Sequence, residues 1–148
     1  MKILLAIDDS KFSQNAIQAV IEQTRPQGTQ VLVLHTVDLL PLTAGSEFWV
    51  TAPDLGEFRK VEMKMSQDLV AKAAERLRAA GLNATPRIEE GEPRSKILDV
   101  AAEWKPDLIV VGSHGRRGWD RFLLGSVSEA VARHAHCSVQ IVRGAGVR

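Results

Sequence analysis

The chain has one cysteine, Cys137, so no internal disulfide can form and a reducing compartment is its natural setting. No stretch approaches the roughly 18 uncharged apolar residues that a membrane helix needs. The opening apolar run, Ile3 to Ile7, is five residues long and ends in Asp8 and Asp9, too short for the core of a secretory signal. Neither sign of charge is in surplus: 19 Lys and Arg face 18 Asp and Glu. A net charge of +1 gives no reason to expect nucleic acid or a membrane as partner. An internal repeat, a linker and a Walker lysine are missing as well. These absences lead us to expect a soluble cytoplasmic protein.

What is present is an alternation of apolar runs and helical patterns. At 148 residues the chain is long enough for one domain with a substantial core. Ile3–Ile7, Val31–Val37 and Leu108–Val111 are short apolar runs of the kind found in strands buried on both faces. Ala84–Glu89 and Ser138–Arg143 are weaker strand signals.

Four helical patterns lie between them. Phe12, Ala16, Ile17, Val20 and Ile21 form one stripe, with Ser10 placed to cap it. Phe58, Val61, Met65, Leu69, Ala73 and Leu77 form a second, stopped by Gly81. Ile97, Val100, Ala101 and Trp104 follow Pro93, and Ser126 opens the last helix. The order β-α-β-α-β-α-β-α-β implies an α/β fold, a doubly wound parallel sheet with helices on both faces. One irregular stretch, Asp38 to Leu55, exceeds the usual connection length and reads either as a functional loop or as a tolerated insertion.

The chemistry concentrates in the segment Gly112-Ser-His-Gly115-Arg-Arg-Gly118-Trp-Asp-Arg-Phe-Leu-Leu-Gly125-Ser126. It starts where a buried strand ends and finishes where a helix begins. Glycines at 112 and 115 allow a tight turn and a close backbone approach to a ligand. Gly125 and Ser126 stand at a helix N-terminus, where unpaired N–H groups and the dipole favour an anion, and Ser126 and Ser128 could add hydroxyl donors. Each feature alone is commonly structural, since chains must turn and helices need caps. Together, at the carboxyl ends of parallel strands, they fit a polyphosphate chain.

The spacing Gly112-x2-Gly115-x9-Gly125-Ser126 resembles the nucleotide-binding pattern of the ATP-binding universal stress proteins. The likeness extends to the opening Ile-Leu-Leu-Ala-Ile-Asp-Asp-Ser, the stretch Pro-Asp-Leu-Ile-Val-Val-Gly-Ser-His-Gly and the closing Cys-Ser-Val-Gln-Ile-Val-Arg. His136 departs from it, standing where many relatives have proline. The resemblance implies a five-stranded sheet of order 3-2-1-4-5, which would bring Asp8 beside Gly112.

It also implies that Asp8 contacts the adenosine part and that Val37 lines the adenine site through its backbone. Gly112, Ser113, Gly115, Gly125, Ser126 and Val127 would hold ribose and phosphates, with Arg116 within reach of the phosphates. ATP would bring magnesium or manganese bound through its phosphates and water. Hydrolysis, if it occurs, is expected to be slow, for no base and no Walker lysine is evident. Relatives commonly dimerise, and Ser138–Arg143 is a plausible edge strand for a homodimer.

Two alternatives stand beside this reading. One is a dimeric interaction protein of the same fold without nucleotide. The other is an adenylating enzyme, which would need a Ser- and Gly-rich loop where this chain reads Asp8-Asp9-Ser10-Lys11-Phe12. Among single residues, His114 reads as a loop-shaping residue, and His134, His136 and Cys137 as structural rather than metal-binding. Trp119, Phe122 and Leu123 read as packing onto the sheet.

Overall fold

The computed structural model describes residues 1–38, 52–115 and 123–144. Nine elements follow in chain order. They are β1 (Lys2–Ala6), α1 (Lys11–Gln23), β2 (Gln30–Val37), α2 (Ala52–Ala79), β3 (Asn83–Glu90), α3 (Pro93–Trp104), β4 (Leu108–Gly112), α4 (Ser126–His134) and β5 (Ser138–Val142). The five strands form one sheet of order β3-β2-β1-β4-β5, with every pairing parallel. The fold is the one expected from the sequence pattern and the strand order the one implied by the family resemblance, with strand bounds moved by one residue.

Alternation along the central strands sorts side chains into two cores. Ile3, Leu5, Val31, Val33 and Val110 pack with Ile17 and Val20 of α1 and Ala73 and Leu77 of α2. Leu4, Leu32, Leu34, Ile109 and Val111 pack with Ile97 and Val100 of α3 and Val131 of α4. Two helices therefore cover each face.

Local chemistry marks the element ends. The Ser13 N–H donates to Ser10 Oγ (3.3 Å) at the start of α1, as Ser10 was expected to cap it. Gly81 closes α2 at a φ of 87°, a left-handed conformation that a Cβ would strain. Lys105 ends α3 in the same region (φ 53°), its N–H bonded to Ala101 O.

One expectation needs correcting. The stripe Phe58–Val61–Met65–Leu69–Ala73–Leu77 is not buried along its whole length. Ala73 and Leu77 are core, whereas Phe58, Val61 and Met65 are 41%, 55% and 58% exposed. The reason is length: 28 residues of helix span about 42 Å, and an eight-residue strand only about 26 Å. The first turns of α2 therefore overhang the carboxyl edge of the sheet. Helix α2 also starts at Ala52, so the end of the stretch read as irregular is helical.

Candidate functional site

Strand β1 lies between β2 and β4, and the chain leaves β1 for α1 on one face and β4 for α4 on the other. Connections that diverge in this way open a crevice at the carboxyl ends of the strands, the usual ligand site of such sheets. A cavity of about 630 Å³ occupies that position. Asp8, Val37, Gly112, Gly115, Gly125, Ser126 and Val127, all singled out in the sequence, line it.

Asp8 is held by the start of α1. Its Oδ1 accepts from the Ser10 N–H (2.9 Å) and the Ser13 hydroxyl (2.8 Å), and its own N–H donates to Ser13 Oγ (2.8 Å). Its Oδ2 lies over Gly115, where a Cβ would stand 3.0 Å away. The acid thus meets Gly115, and Gly112 lines the same cavity. Gly112, the last residue of β4, is packed under Phe12, with 2.8 Å between its ideal Cβ position and Phe12 Cβ. Neither glycine is at positive φ. What they provide is close approach, not an unusual turn.

The two ends of the loop are clasped to each other. Ser113 donates its N–H to Val142 O (2.8 Å), and its carbonyl accepts the Gly125 N–H (2.8 Å) and the Ser128 hydroxyl (3.0 Å). Ser128 is 2% exposed, and its hydroxyl also reaches Gly125 O (2.9 Å). Both suggested serines border the cavity, but the Ser128 hydroxyl is spent inside the protein on Ser113 O and Gly125 O.

Ser10 caps α1 and Glu92 caps α3, whereas α4 begins at Gly125 with no side-chain cap. Its first N–H groups therefore lack a capping acceptor, and the Ser126 and Val127 turn that carries them borders the cavity. This end of the site suits an anion.

The other end is a slot walled by Leu34, Ile97 and Val111. Hydrogen bonding alternates along β2: Leu34 O accepts from the Ile7 N–H (2.8 Å) on the β1 side, and Val37 O from the Gly91 N–H (2.9 Å) on the β3 side. Thr36 between them turns its backbone toward β1, which has already ended. Val37 lines the slot, but its carbonyl is taken. His35 is 7% exposed and its Nδ1 must donate to Ile7 O (2.8 Å), since a carbonyl can only accept.

Glu92 borders the slot at the start of α3. Its Oε2 accepts from the Ser95 N–H and hydroxyl (2.9 Å each), and its Oε1 from Arg94 Nε (2.6 Å). Burial pushes this carboxyl up, but the Arg94 guanidinium and the two Ser95 donors outweigh it and hold it at about 2, against an ordinary 4.5. A depressed carboxylate contributes stability above pH 4.5 that is lost as pH falls through about 2. The melting temperatures of the unaltered chain and Glu92→Gln should therefore converge as pH falls across that window. A gap that widens would contradict the capping role.

The family-model match covers residues 1–143 and is to the universal stress protein family. This chain belongs to that family. It is 33% identical over 145 residues to the Bacillus subtilis universal stress protein YxiE, covering 96% of this chain and 98% of that one. The solved universal stress protein UspA of Lactobacillus plantarum matches at a TM-score of 0.81 and 25% identity, covering 97% of each chain. The Arabidopsis thaliana family protein At3g01520, solved with AMP bound, matches at 0.72 and 20% identity over 99% of this chain and 93% of that one. Two further solved universal stress proteins, at TM-scores of 0.65 and 0.64, hold cAMP and dAMP.

In this universal stress protein the fold brings together Asp8 and Gly115, and separately Ser113, Gly125 and Ser128. Ser113 is 1% exposed and works through its backbone in the clasp. Arg116, Trp119 and Phe122 lie outside the described residues, as do residues 39–51 of the long connection. Leu123, read as packing onto the sheet, is 65% exposed. Among the described residues no group of three or more His, Cys, Asp and Glu could hold a metal ion, and no helix is long and apolar enough to cross a membrane. The sequence reading missed the slot residues Leu34, Thr36 and Ile97; the apolar position after Pro93 was the one signal for them.

Proposed function

We propose that this universal stress protein is an adenine-nucleotide-binding module of stress response or signalling that takes ATP with magnesium or manganese. The observation that carries this reading is the clasped, uncapped start of α4 facing an apolar slot across one crevice. The phosphates would lie against the N–H groups of Ser126 and Val127, with Gly115, Gly125 and Arg116 beside them. The base would enter the slot beside Val37, its edge meeting the backbone at Thr36, and Asp8 would take the ribose. The metal ion would be held by the phosphates and water. Function is binding with at most slow hydrolysis, the bound state altering surfaces offered to partners in the cytoplasm. The AMP, cAMP and dAMP held by structural neighbours support an adenine ligand.

The test is a melting curve with Mg-ATP, with Mg-GTP and without ligand. ATP at a hundred times its dissociation constant adds about 2.7 kcal/mol, a rise of roughly 5–10 °C for a domain of this size. GTP should give a much smaller shift.

A second reading has its own observation. β5 is an edge strand, and four of its five residues are only partly buried. Two copies pairing there would form a homodimer. No shift at millimolar ATP, in a protein that sediments as a dimer, would favour the nucleotide-free interaction protein.

A further inference from the structure

His114 holds an atom whose hydrogen bonding the protein leaves open. It borders the cavity, and its Cα lies 3.1 Å from the position a Cβ on Gly125 would take, beside the start of α4. Its ring packs on Phe12, with centroids 5.2 Å apart. Nδ1 is 3.0 Å from Ser113 Oγ, but Nε2 is buried without a hydrogen-bond partner among the described residues. A buried polar atom left in this state calls for a physical explanation.

Two arrangements satisfy the pair Ser113–His114. In one, Nδ1–H donates to Ser113 Oγ and Nε2 is a bare acceptor. In the other, the Ser113 hydroxyl donates to Nδ1 and Nε2 carries the proton. Without a ligand the second buries an unpaired N–H, the costlier of the two defects. With an anionic oxygen at the start of α4 the order reverses, because Nε2–H then has an acceptor.

We propose that His114 reads the phosphate of the bound nucleotide, donating from Nε2 to a phosphate oxygen while the Ser113 hydroxyl turns to donate to Nδ1. This rests on the nucleotide-binding reading above and adds a side-chain contact to the backbone ones. It makes phosphate recognition visible as a change of tautomer.

The experiment is ¹⁵N NMR of the histidine rings in the full chain, titrated with Mg-ATP, AMP and adenosine. ATP and AMP should convert His114 from the Nδ1–H to the Nε2–H form, and adenosine should leave it unchanged. Alongside, His114→Phe keeps the ring contact with Phe12 and removes both nitrogens. Its affinity for ATP should fall about 10- to 100-fold, the range of one hydrogen bond to a charged group, with adenosine affinity changed less than about 2-fold. His114→Gln, whose amide reaches the Nε2 position, should recover most of the loss.

ATP that binds and leaves the His114 ring unchanged would overturn this assignment and leave the site intact. Adenosine that shifts the ring as ATP does would move the contact off the phosphate and overturn it too. If neither ligand binds, the nucleotide reading falls with it. Should His114→Phe fail to fold, the unaltered protein's spectra still decide.

Discussion

Gly112→Ala should lower the melting temperature by roughly 3–10 °C, corresponding to about 1–3 kcal/mol of overpacking. The new methyl would stand 2.8 Å from Phe12 Cβ and 3.0 and 3.1 Å from the Phe12 carbonyl carbon and oxygen. Two of those three atoms are backbone, so a rotamer change cannot relieve the contact. The first turn of α1 would have to move, and it is tied down by the Ser10 cap and by the bonds joining Ser10 and Ser13 to Asp8. Relief therefore shifts the acid of the candidate site as well. The ATP-induced rise in melting temperature should shrink in the same variant. Urea unfolding with an unchanged slope and a lower midpoint would show that the loss is in folded-state packing. A melting temperature equal to that of the parent would mean that this close approach is dispensable.

Leu77→Ala should cost about 2–5 kcal/mol, whereas Phe58→Ala should stay within about 0.5 kcal/mol of the parent. The two residues belong to one apolar stripe of α2 but to different environments. Leu77 is fully buried and packs in the core with Val70, Ala73 and Ala74. Phe58 is 41% exposed on the turns that overhang the sheet. Truncating Leu77 leaves a cavity that a close-packed interior fills poorly, while truncating Phe58 exposes little that was not already wet. Urea titration of both variants separates the cases. A loss at Phe58 approaching that at Leu77 would show the overhanging face to be covered in solution.

The α2 stripe shows one limit of sequence reading. Periodicity of 3.6 says which side of a helix is apolar, but not how far the sheet beneath extends. The glycines show another. Gly81 behaves as a helix stop should, at positive φ, and that role is legible from neighbouring residues. Gly112 and Gly125 are glycines because Phe12 and the backbone of Ser113 and His114 lie against them. Phe12 is a hundred positions from Gly112, and no local pattern encodes that contact. Ser128 has the same origin: beside Ser126 it looks like a second donor, yet Ser113 O, 15 residues away, takes its hydroxyl.

The sequence alone determined the alternation of strands and helices, because hydrophobic period, caps and breakers act over a few residues. The resemblance of its glycine spacing and flanks supplied the strand order and the residues around the crevice. Only the tertiary structure decided which polar atoms the protein uses up and which it leaves for a ligand. Ser113 O, Ser128 Oγ and Asp8 Oδ1 are paired internally, whereas the start of α4 has no capping side chain and His114 Nε2 no partner among the described residues. The physical reason is that a hydrogen bond is settled by the position of both partners. Here the partners meet only when the ends of β1, β4 and β5 are drawn together by the sheet.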